Sequence, residues 1–329
     1  MRYLLRRLGF FALTLWAALT INFLLPRLMP GSPAAALRER TKGRLSPEAT
    51  DRLLASFGYK SGQSLSEQYT EYLHNMVTGN WGVSIGSSLG KPVTTLIAQA
   101  LPWTLGLVGV ATVLAFGVGT LIGIVAGWKR GSKLDAVLPP VFVVTSALPY
   151  FWVALMLILV FNVSMNGFLP NDFDYGEGSV PGPNVDFGVS VLRHAVLPAA
   201  TIVITAIGGW ILTMRNNMIT TLAEDYVRMA RAKGLSNRRV MLGYAARNAF
   251  LPNLSGLAMS LGYVLTGAIL VEYVFSYQGL GYLFYNSTVS ADYPLMGALF
   301  MLYTVAVLVA VLICDFATFW LDPRARAKG

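Results

Sequence analysis

The segment from Asp225 to Pro252, DYVRMARAKGLSNRRVMLGYAARNAFLP, is rich in Arg and Lys and lies between two long apolar runs. Such charges are costly inside a bilayer, so the segment is expected in water although both flanks could span a membrane. Its Ala, Met, Arg and Lys residues favour a helix, which Gly234 can end in a left-handed cap before Ser236 begins a second helix. The pattern predicts a basic knob (residues 225–252) that engages a soluble partner. A loop that only sets topology would not need this glycine.

A phosphate-binding loop would give the chain nucleotide chemistry of its own. The nearest match to G-x-x-x-x-G-K-[ST] starts at Gly86 and reads GSSLGKP, which is one residue short. Pro92 also replaces the hydroxyl that would hold Mg²⁺. We therefore expect no ATP or Mg²⁺ cofactor in this chain.

The sequence contains no pattern that is typical of other catalytic sites or of metal sites. The sequence has no combination of nucleophile, histidine and acid that indicates a catalytic set. Its one cysteine, Cys314, lies in an apolar run and cannot form an intrachain disulfide. His74 and His194 are far apart in sequence and are expected at surfaces rather than as metal ligands. We expect neither an enzyme nor a metal site.

Composition indicates a membrane protein with several spans. Residues are 55% hydrophobic and 12% charged, and the mean hydropathy is +0.56, whereas soluble domains carry about 25% charged residues. Nucleic-acid binding is the rejected alternative for the net charge of +9. The apolar run after Arg7 is too long for a signal peptide and is interpreted as a retained span. Six helical spans are predicted, at residues 8–29, 102–127, 137–162, 196–218, 253–275 and 295–320.

Orientation follows from the basic residues near the span ends. Most of the 25 Lys and Arg residues lie in segments that share one side with the amino terminus. Because short cytoplasmic loops are enriched in these residues, both termini are expected in the cytoplasm.

Ionisable residues within or beside spans are candidates for gating or structural roles because they are costly in lipid. They are Glu272, Asp315 and Arg215. An outer-gate contact and a structural pair are equally open for Glu272, and a structural hydrogen bond is favoured for Asp315. A separate stripe of small residues in the second span is expected to permit close helix packing, and it consists of Gly119, Gly123 and Gly127.

The basic knob resembles the cytoplasmic coupling loop of ABC importer permeases of the dipeptide/oligopeptide family. That pattern is similar to Asp-Tyr-x-x-x-Ala-Arg-Ala-Lys-Gly-Leu, here from Asp225 to Leu235, followed by Arg-Asn-Ala-x-x-Pro, here from Arg247 to Pro252. GNWGVSIGSSLGKPV, VEYVFSYQGLGYLFYNSTVSADYP and DFATFWLDPRAR also resemble the family, so the likeness covers nearly the whole chain. Arg228 stands where the wider importer motif has Glu, a departure that the peptide-type family often shares.

The resemblance implies an all-α membrane protein with six transmembrane helices, like the permease of a type I ABC importer, with an extracytoplasmic helical loop after the first helix. It implies a homologous second permease, two ABC ATPase subunits that bind ATP and Mg, and an extracytoplasmic substrate-binding protein. This chain would be located in the inner or plasma membrane. The ATPase contact is implied at Tyr226, Ala230, Arg231, Ala232, Lys233, Gly234 and Leu235.

The same resemblance divides the chain into four parts. These are a first transmembrane helix at 1–29, an extracytoplasmic loop at 30–101, a permease core at 102–321 with its coupling loop at 219–252, and a cytoplasmic tail at 322–329. Peptides are the family's default substrates. Oligosaccharides are the alternative, suggested by the loop around Tyr175 and Gly176, and nickel or glutathione carriers also occur. An ion-coupled secondary transporter would need paired repeats and midplane charges, which are not seen.

Overall fold

The computed structural model describes residues 2–28, 46–56, 63–176, 178–264 and 269–321, and at 314–321 it describes the backbone alone. Regular structure in these ranges is helical, apart from one antiparallel bridge between Val83 and Pro92. The helices in chain order are α1 (Arg2–Leu28), α2 (Pro47–Ser56), α3 (Leu65–Thr78), α4 (Val93–Trp128), α5 (Lys133–Ala147), α6 (Tyr150–Ser164), α7 (Val185–Leu222), α8 (Asp225–Ala232), α9 (237–263), α10 (Ile269–Val274), α11 (Leu280–Val289) and α12 (Tyr293–Leu321).

Four helices of the described chain are long and apolar enough to cross a membrane. They are α1, α4, α7 and α12, and α5 with α6 passes the same test as a bent pair. The fifth predicted span, 253–275, covers parts of α9 and α10, and 265–268 between them lie outside the described residues. The all-helical, membrane-type fold is confirmed, while the number of six spans stays a prediction.

The prediction of one helix at 137–162 is wrong, because the chain bends by 93° between α5 and α6. Leu148 is extended, with φ −72° and ψ 129°, as expected of a residue before proline, where the proline ring disfavours the helical conformation. Pro149 then precedes the first residue of α6. The Leu-Pro pair carried this signal, but it lies inside a predominantly apolar stretch that suggested a single span.

Helices α4 and α7 are both longer than predicted. Helix α4 begins at Val93 rather than at 102, and α7 covers Val185–Leu222 rather than 196–218. The early part of α4 buries Val93 and Leu96 in a cluster with Leu280 and Leu299, so packing extends the helix beyond the apolar window. Pro102 cannot donate a backbone hydrogen bond, and the helix widens to a π-helical turn at Leu105–Gly109 just after it.

Helices α4 and α7 approach each other closely where α4 has glycine every four residues. A Cβ atom on Gly123 would lie 2.7 Å from both the Ile211 carbonyl oxygen and the Met214 Cβ. The two neighbouring glycines are equally tight, since a Cβ would lie 2.7 Å from Trp210 Cβ at Gly119 and 2.5 Å from Met218 Cβ at Gly127. The stripe therefore lies at a helix contact within this chain.

The described part of the segment after α1 contains two short helices, in agreement with the helical loop expected there. Helix α2 begins at Pro47, with the Ala49 amide donating to the Ser46 hydroxyl at 3.1 Å. Helix α3 begins with a reciprocal capping box between Ser64 and Glu67. It packs on α1 through Tyr69, whose hydroxyl lies 2.6 Å from that of Thr20. The second helix is thus anchored to the first span.

Candidate functional site

Helix α8 of the basic knob is amphipathic and packs where α4, α7 and α9 meet. Val227 and Ala230 are buried in one cluster with Val240 of α9. Trp128 at the end of α4 and Leu222 at the end of α7 pack against that cluster. Since the knob shares a core with two long helices, a displacement of α8 would be transmitted to both.

The turn after α8 is built by Gly234. Its φ of +75° is in the left-handed region, which favours glycine. The Gly234 amide donates to the Arg231 carbonyl at 2.9 Å, and the Leu235 amide donates to the Ala230 carbonyl at 3.4 Å. These two bonds form a Schellman motif, in which the residue after the glycine contacts the last turn of the helix. Leu235 packs accordingly against the cluster that contains Ala230.

Most residues predicted at the ATPase contact form the exposed face of the knob. That face contains Tyr226, Arg231, Ala232, Lys233 and Gly234, and Leu235 is half-buried at its edge. Ala230 is different, because it is only 2% exposed. Although the resemblance implies Ala230 at the ATPase contact, the surface that packs against it in the structure belongs to this chain.

Two contacts that the sequence analysis missed attach the exposed face to the long helices. The guanidinium carbon of Arg231 lies 5.2 Å from the centre of the Trp128 ring, within cation–π range. The Asn248 side-chain amide donates to the Tyr226 hydroxyl at 3.0 Å and to the Tyr244 carbonyl at 3.0 Å. Trp128, directly after the second predicted span, also fits the aromatic belt found at membrane surfaces. Its position next to three basic residues was the available signal.

Glu272 is fully buried at the opposite end of the fold and bonds to the chain's own polar groups. Its carboxylate accepts hydrogen bonds from the Thr104 hydroxyl at 2.9 Å, the Gly281 amide at 2.7 Å and the Tyr282 amide at 3.2 Å. The two amides belong to the first turn of α11, where a negative charge is stabilised. No ion pair to Glu272 occurs within the described ranges. Glu272 therefore joins α4, α10 and α11, and a gating role stays a prediction.

Asp292 makes a second buried carboxylate contact that the sequence analysis did not single out. It accepts from the Ser84 hydroxyl and from the amides of Ile85 at 3.1 Å and Gly86 at 2.9 Å. It also accepts from the Leu295 amide in the first turn of α12 at 3.4 Å. The glycine-rich string that starts at Gly86 is therefore attached to the residue that precedes α12. The Gly86 amide is already hydrogen-bonded to the Asp292 carboxylate.

Of the remaining ionisable candidates, the structure describes the side chain of Arg215 but not that of Asp315. Arg215 on α7 forms an ion pair with Asp135 on α5, and their side chains are 19% and 9% exposed. Asp135 also accepts from the Gly131 amide at 2.9 Å, so the pair closes the turn between α4 and α5. Asp315 lies outside the described side chains. Among the described residues, no cluster of His, Cys, Asp and Glu could hold a metal ion.

Comparisons with known proteins agree with this architecture. Residues 119–327 match the family described as "Binding-protein-dependent transport system inner membrane component". The oligopeptide transport system permease protein AppB of Bacillus subtilis (strain 168) is 31% identical, over 98% of this chain and 98% of its own length. The dipeptide transport system permease protein DppB of Escherichia coli (strain K12) is 30% identical, over 100% and 99%. DppB of Lactococcus lactis subsp. cremoris (strain MG1363) is 29% identical, over 99% of both.

The match and the apolar helices make the chain a multi-pass membrane protein and a transport component rather than an ATPase. The family match includes α7, the whole of the basic knob and α12. The similarity to the relatives extends over nearly all of this chain and of theirs. This chain therefore belongs to the family of inner-membrane components of binding-protein-dependent transport systems.

Proposed function

We propose that this chain is a permease subunit of an ATP-driven peptide importer and forms half of the substrate pathway. Both AppB and DppB are named as permease proteins of oligopeptide or dipeptide transport systems. Peptides are therefore the proposed substrates, and the oligosaccharide alternative gains no support from these relatives. The other half of the pathway would come from a homologous second permease.

The observation that carries the proposal is the division of the knob into an anchored and a free face. Val227 and Ala230 are buried against α4, α7 and α9, whereas the three residues that directly follow Ala230 are exposed, namely Arg231, Ala232 and Lys233. A merely topogenic loop would not need a packed core. An exposed face joined rigidly to two long helices can receive force from a soluble subunit and move the helices that line a pathway.

The energy source would be a pair of ABC ATPase subunits, which supply the ATP and Mg²⁺ sites. ATP-driven closure of that pair would change the distance between the two knobs and switch the permeases between inward-open and outward-open arrangements. An extracytoplasmic substrate-binding protein would deliver the peptide to the outer face. Both termini and the knob would then lie in the cytoplasm, as the basic residues near the span ends favour.

The test uses the transporter that co-purifies with the full-length chain, reconstituted in proteoliposomes with its binding protein. Peptide-stimulated ATP hydrolysis and uptake of a labelled peptide are measured for Arg231→Gln/Lys233→Gln. We expect both rates to fall at least about tenfold, since each lost charge-assisted contact contributes roughly 1.5–3 kcal/mol. The subunits should still insert into the membrane.

A matched control removes two exposed charges outside the knob, in Lys129→Gln/Arg130→Gln, and should retain both rates. Wild-type hydrolysis and uptake in the knob variant would overturn the proposed coupling. Uptake that continues without the ATPase subunits and follows a proton gradient would instead indicate a secondary transporter.

A further inference from the structure

A groove with two arginines lies beside the docking face. It has a volume of about 650 Å³, and it is lined by Arg239, Gly243, Tyr244, Arg247, Asn248 and Leu251 of α9. Four of these residues recur at every fourth position, which places them along one side of a helix. A π-helical turn at Val240–Ala246 forms the middle of this side. Gly243, which has no side chain, lies midway between Arg239 and Arg247 along this side of the helix.

The groove is strongly basic. Its lining residues include no acid, and Arg239 and Arg247 are exposed without an ion pair in the described part of the chain. The exposed pair on the knob, Asp225 with Arg228 at 3.5 Å, is on α8 and does not line the groove. Planar guanidinium groups can each bind two phosphate oxygens, and this geometry favours a phosphate ligand.

The groove also lies at the level where the long helices change from apolar to polar. Ala245, Ala246 and Ala249 pack with Met214 and Met218 of α7. Between those two methionines, α7 carries Arg215, which is paired with Asp135 at the turn after α4. The groove is thus at the level of Arg215, where the apolar part of α7 ends.

The groove lining also changes from basic at Arg239 to apolar at Leu251. Leu251 is 51% exposed and leads toward the apolar part of α9, whereas Arg239 lies near the amino-terminal end of that helix. A ligand that follows this groove must be apolar at one end and anionic at the other. A phospholipid at the membrane surface has this form, whereas a free phosphate ion would not need Leu251.

We propose that this groove binds the headgroup of an anionic phospholipid from the leaflet next to the knob, with its phosphate between Arg239 and Arg247. The acyl chains would leave past Leu251. Basic pockets on the cytoplasmic side of membrane helices bind such headgroups. The bound lipid would steady α9 beside the helix that we propose as the ATPase contact, so that transport would depend on anionic lipid.

The proposal is tested by native mass spectrometry of the assembly that co-purifies with the full-length chain, using phosphatidylglycerol as the probe. Wild type should retain one more phosphatidylglycerol per copy of this chain than Arg239→Gln/Arg247→Gln. Two basic groups near a membrane surface together imply roughly 30-fold weaker binding in the variant. Arg238→Gln/Lys133→Gln removes the same charge from exposed positions outside the groove and should bind like wild type.

Thermal unfolding in nanodiscs adds a readout that does not depend on transport. Phosphatidylglycerol should raise the melting temperature of wild type above its value in phosphatidylcholine, and the groove variant should lose this difference. Equal retention of phosphatidylglycerol by wild type and by the groove variant would overturn the proposal. So would a groove variant that sheds an ATPase subunit while it keeps its lipid, because the groove would then be a protein contact.

Discussion

The guanidinium group of Arg231 lies above the ring of Trp128, 5.2 Å from its centre. This contact joins the proposed docking face of the knob to the last residue of α4. Trp128 also packs against buried Val227 and Ala230, so one side chain contributes to both the anchored and the exposed side of α8.

We expect Trp128→Leu to loosen α8 more than Arg231→Gln does. Loss of the cation–π contact alone should cost about 0.5–1 kcal/mol, whereas shrinking a large packed side chain costs roughly 3 kcal/mol. Hydrogen exchange of the α8 amides measures this local opening. Arg231→Lys should exchange nearly as slowly as wild type. Unchanged exchange in Trp128→Leu would contradict the shared core of the knob.

Close packing of α4 on α7 predicts that Gly123→Ala is destabilising. The new Cβ would lie 2.7 Å from a backbone oxygen of α7, which cannot move aside like a flexible side chain. Overpacking of this kind costs about 1–3 kcal/mol. Gly117→Ala is the matched control on the same helix, since nothing lies within 4 Å of its Cβ position. A lower melting temperature is expected for Gly123→Ala alone, and equal values would contradict the contact.

The ion pair between Asp135 and Arg215 should contribute more than the exposed pair between Asp225 and Arg228. Removing one partner of a largely buried pair leaves an uncompensated charge and costs up to roughly 3 kcal/mol. An exposed pair contributes about 0–1 kcal/mol. We therefore expect Asp135→Asn to lower the melting temperature and Asp225→Asn to leave it nearly unchanged. A double-mutant cycle with Arg215→Gln measures the coupling, and additive effects would argue against the pair.

The loop between α6 and α7 should become less stable as pH rises. Burial raises the pKa of the Asp174 carboxyl, and a charge on His194 opposes this effect. Because the folded protein holds the proton more tightly than the unfolded chain, the stabilisation is complete below the unfolded pKa. It is lost as pH rises through the folded pKa.

Trp103 reports on this loop because its ring stacks on Tyr175 with centroids 5.8 Å apart. Its fluorescence should change above the usual pKa of aspartate, and Asp174→Asn should remove that change. His194→Gln separates any titration of the histidine. A transition that survives in Asp174→Asn but disappears in His194→Gln would assign the pH dependence to the histidine instead.

The sequence predicted local structure better than contacts between distant segments. The helix, left-handed Gly234 and second helix of the knob follow from propensity and capping, and all three are present. Ser236 precedes the second helix as expected, although its side chain makes no capping bond. These features depend on neighbours along the chain, so they are readable without the fold.

Partners of buried carboxylates could not be predicted in this way. Glu272 bonds to Thr104 on α4, and Asp292 bonds to Ser84 and the two amides that follow it, each far away in the chain. Such partners depend on how the helices pack. The burial of Ala230 was missed for a related reason, because an alanine in a basic helix does not reveal which face packs on the neighbouring spans.

The most direct test of the coupling proposal compares the exposed Ala232 with the buried Ala230. In a background in which Cys314 is replaced by Ala, a cysteine is placed at either position and labelled with a maleimide–benzophenone reagent in the intact transporter. After illumination, the Ala232→Cys chain should cross-link to an ATPase subunit. Ala230→Cys should remain unlabelled, and Thr78→Cys at the exposed end of α3 should be labelled without capturing the ATPase. A labelled Ala232→Cys chain that never captures an ATPase subunit would contradict the docking role of the knob.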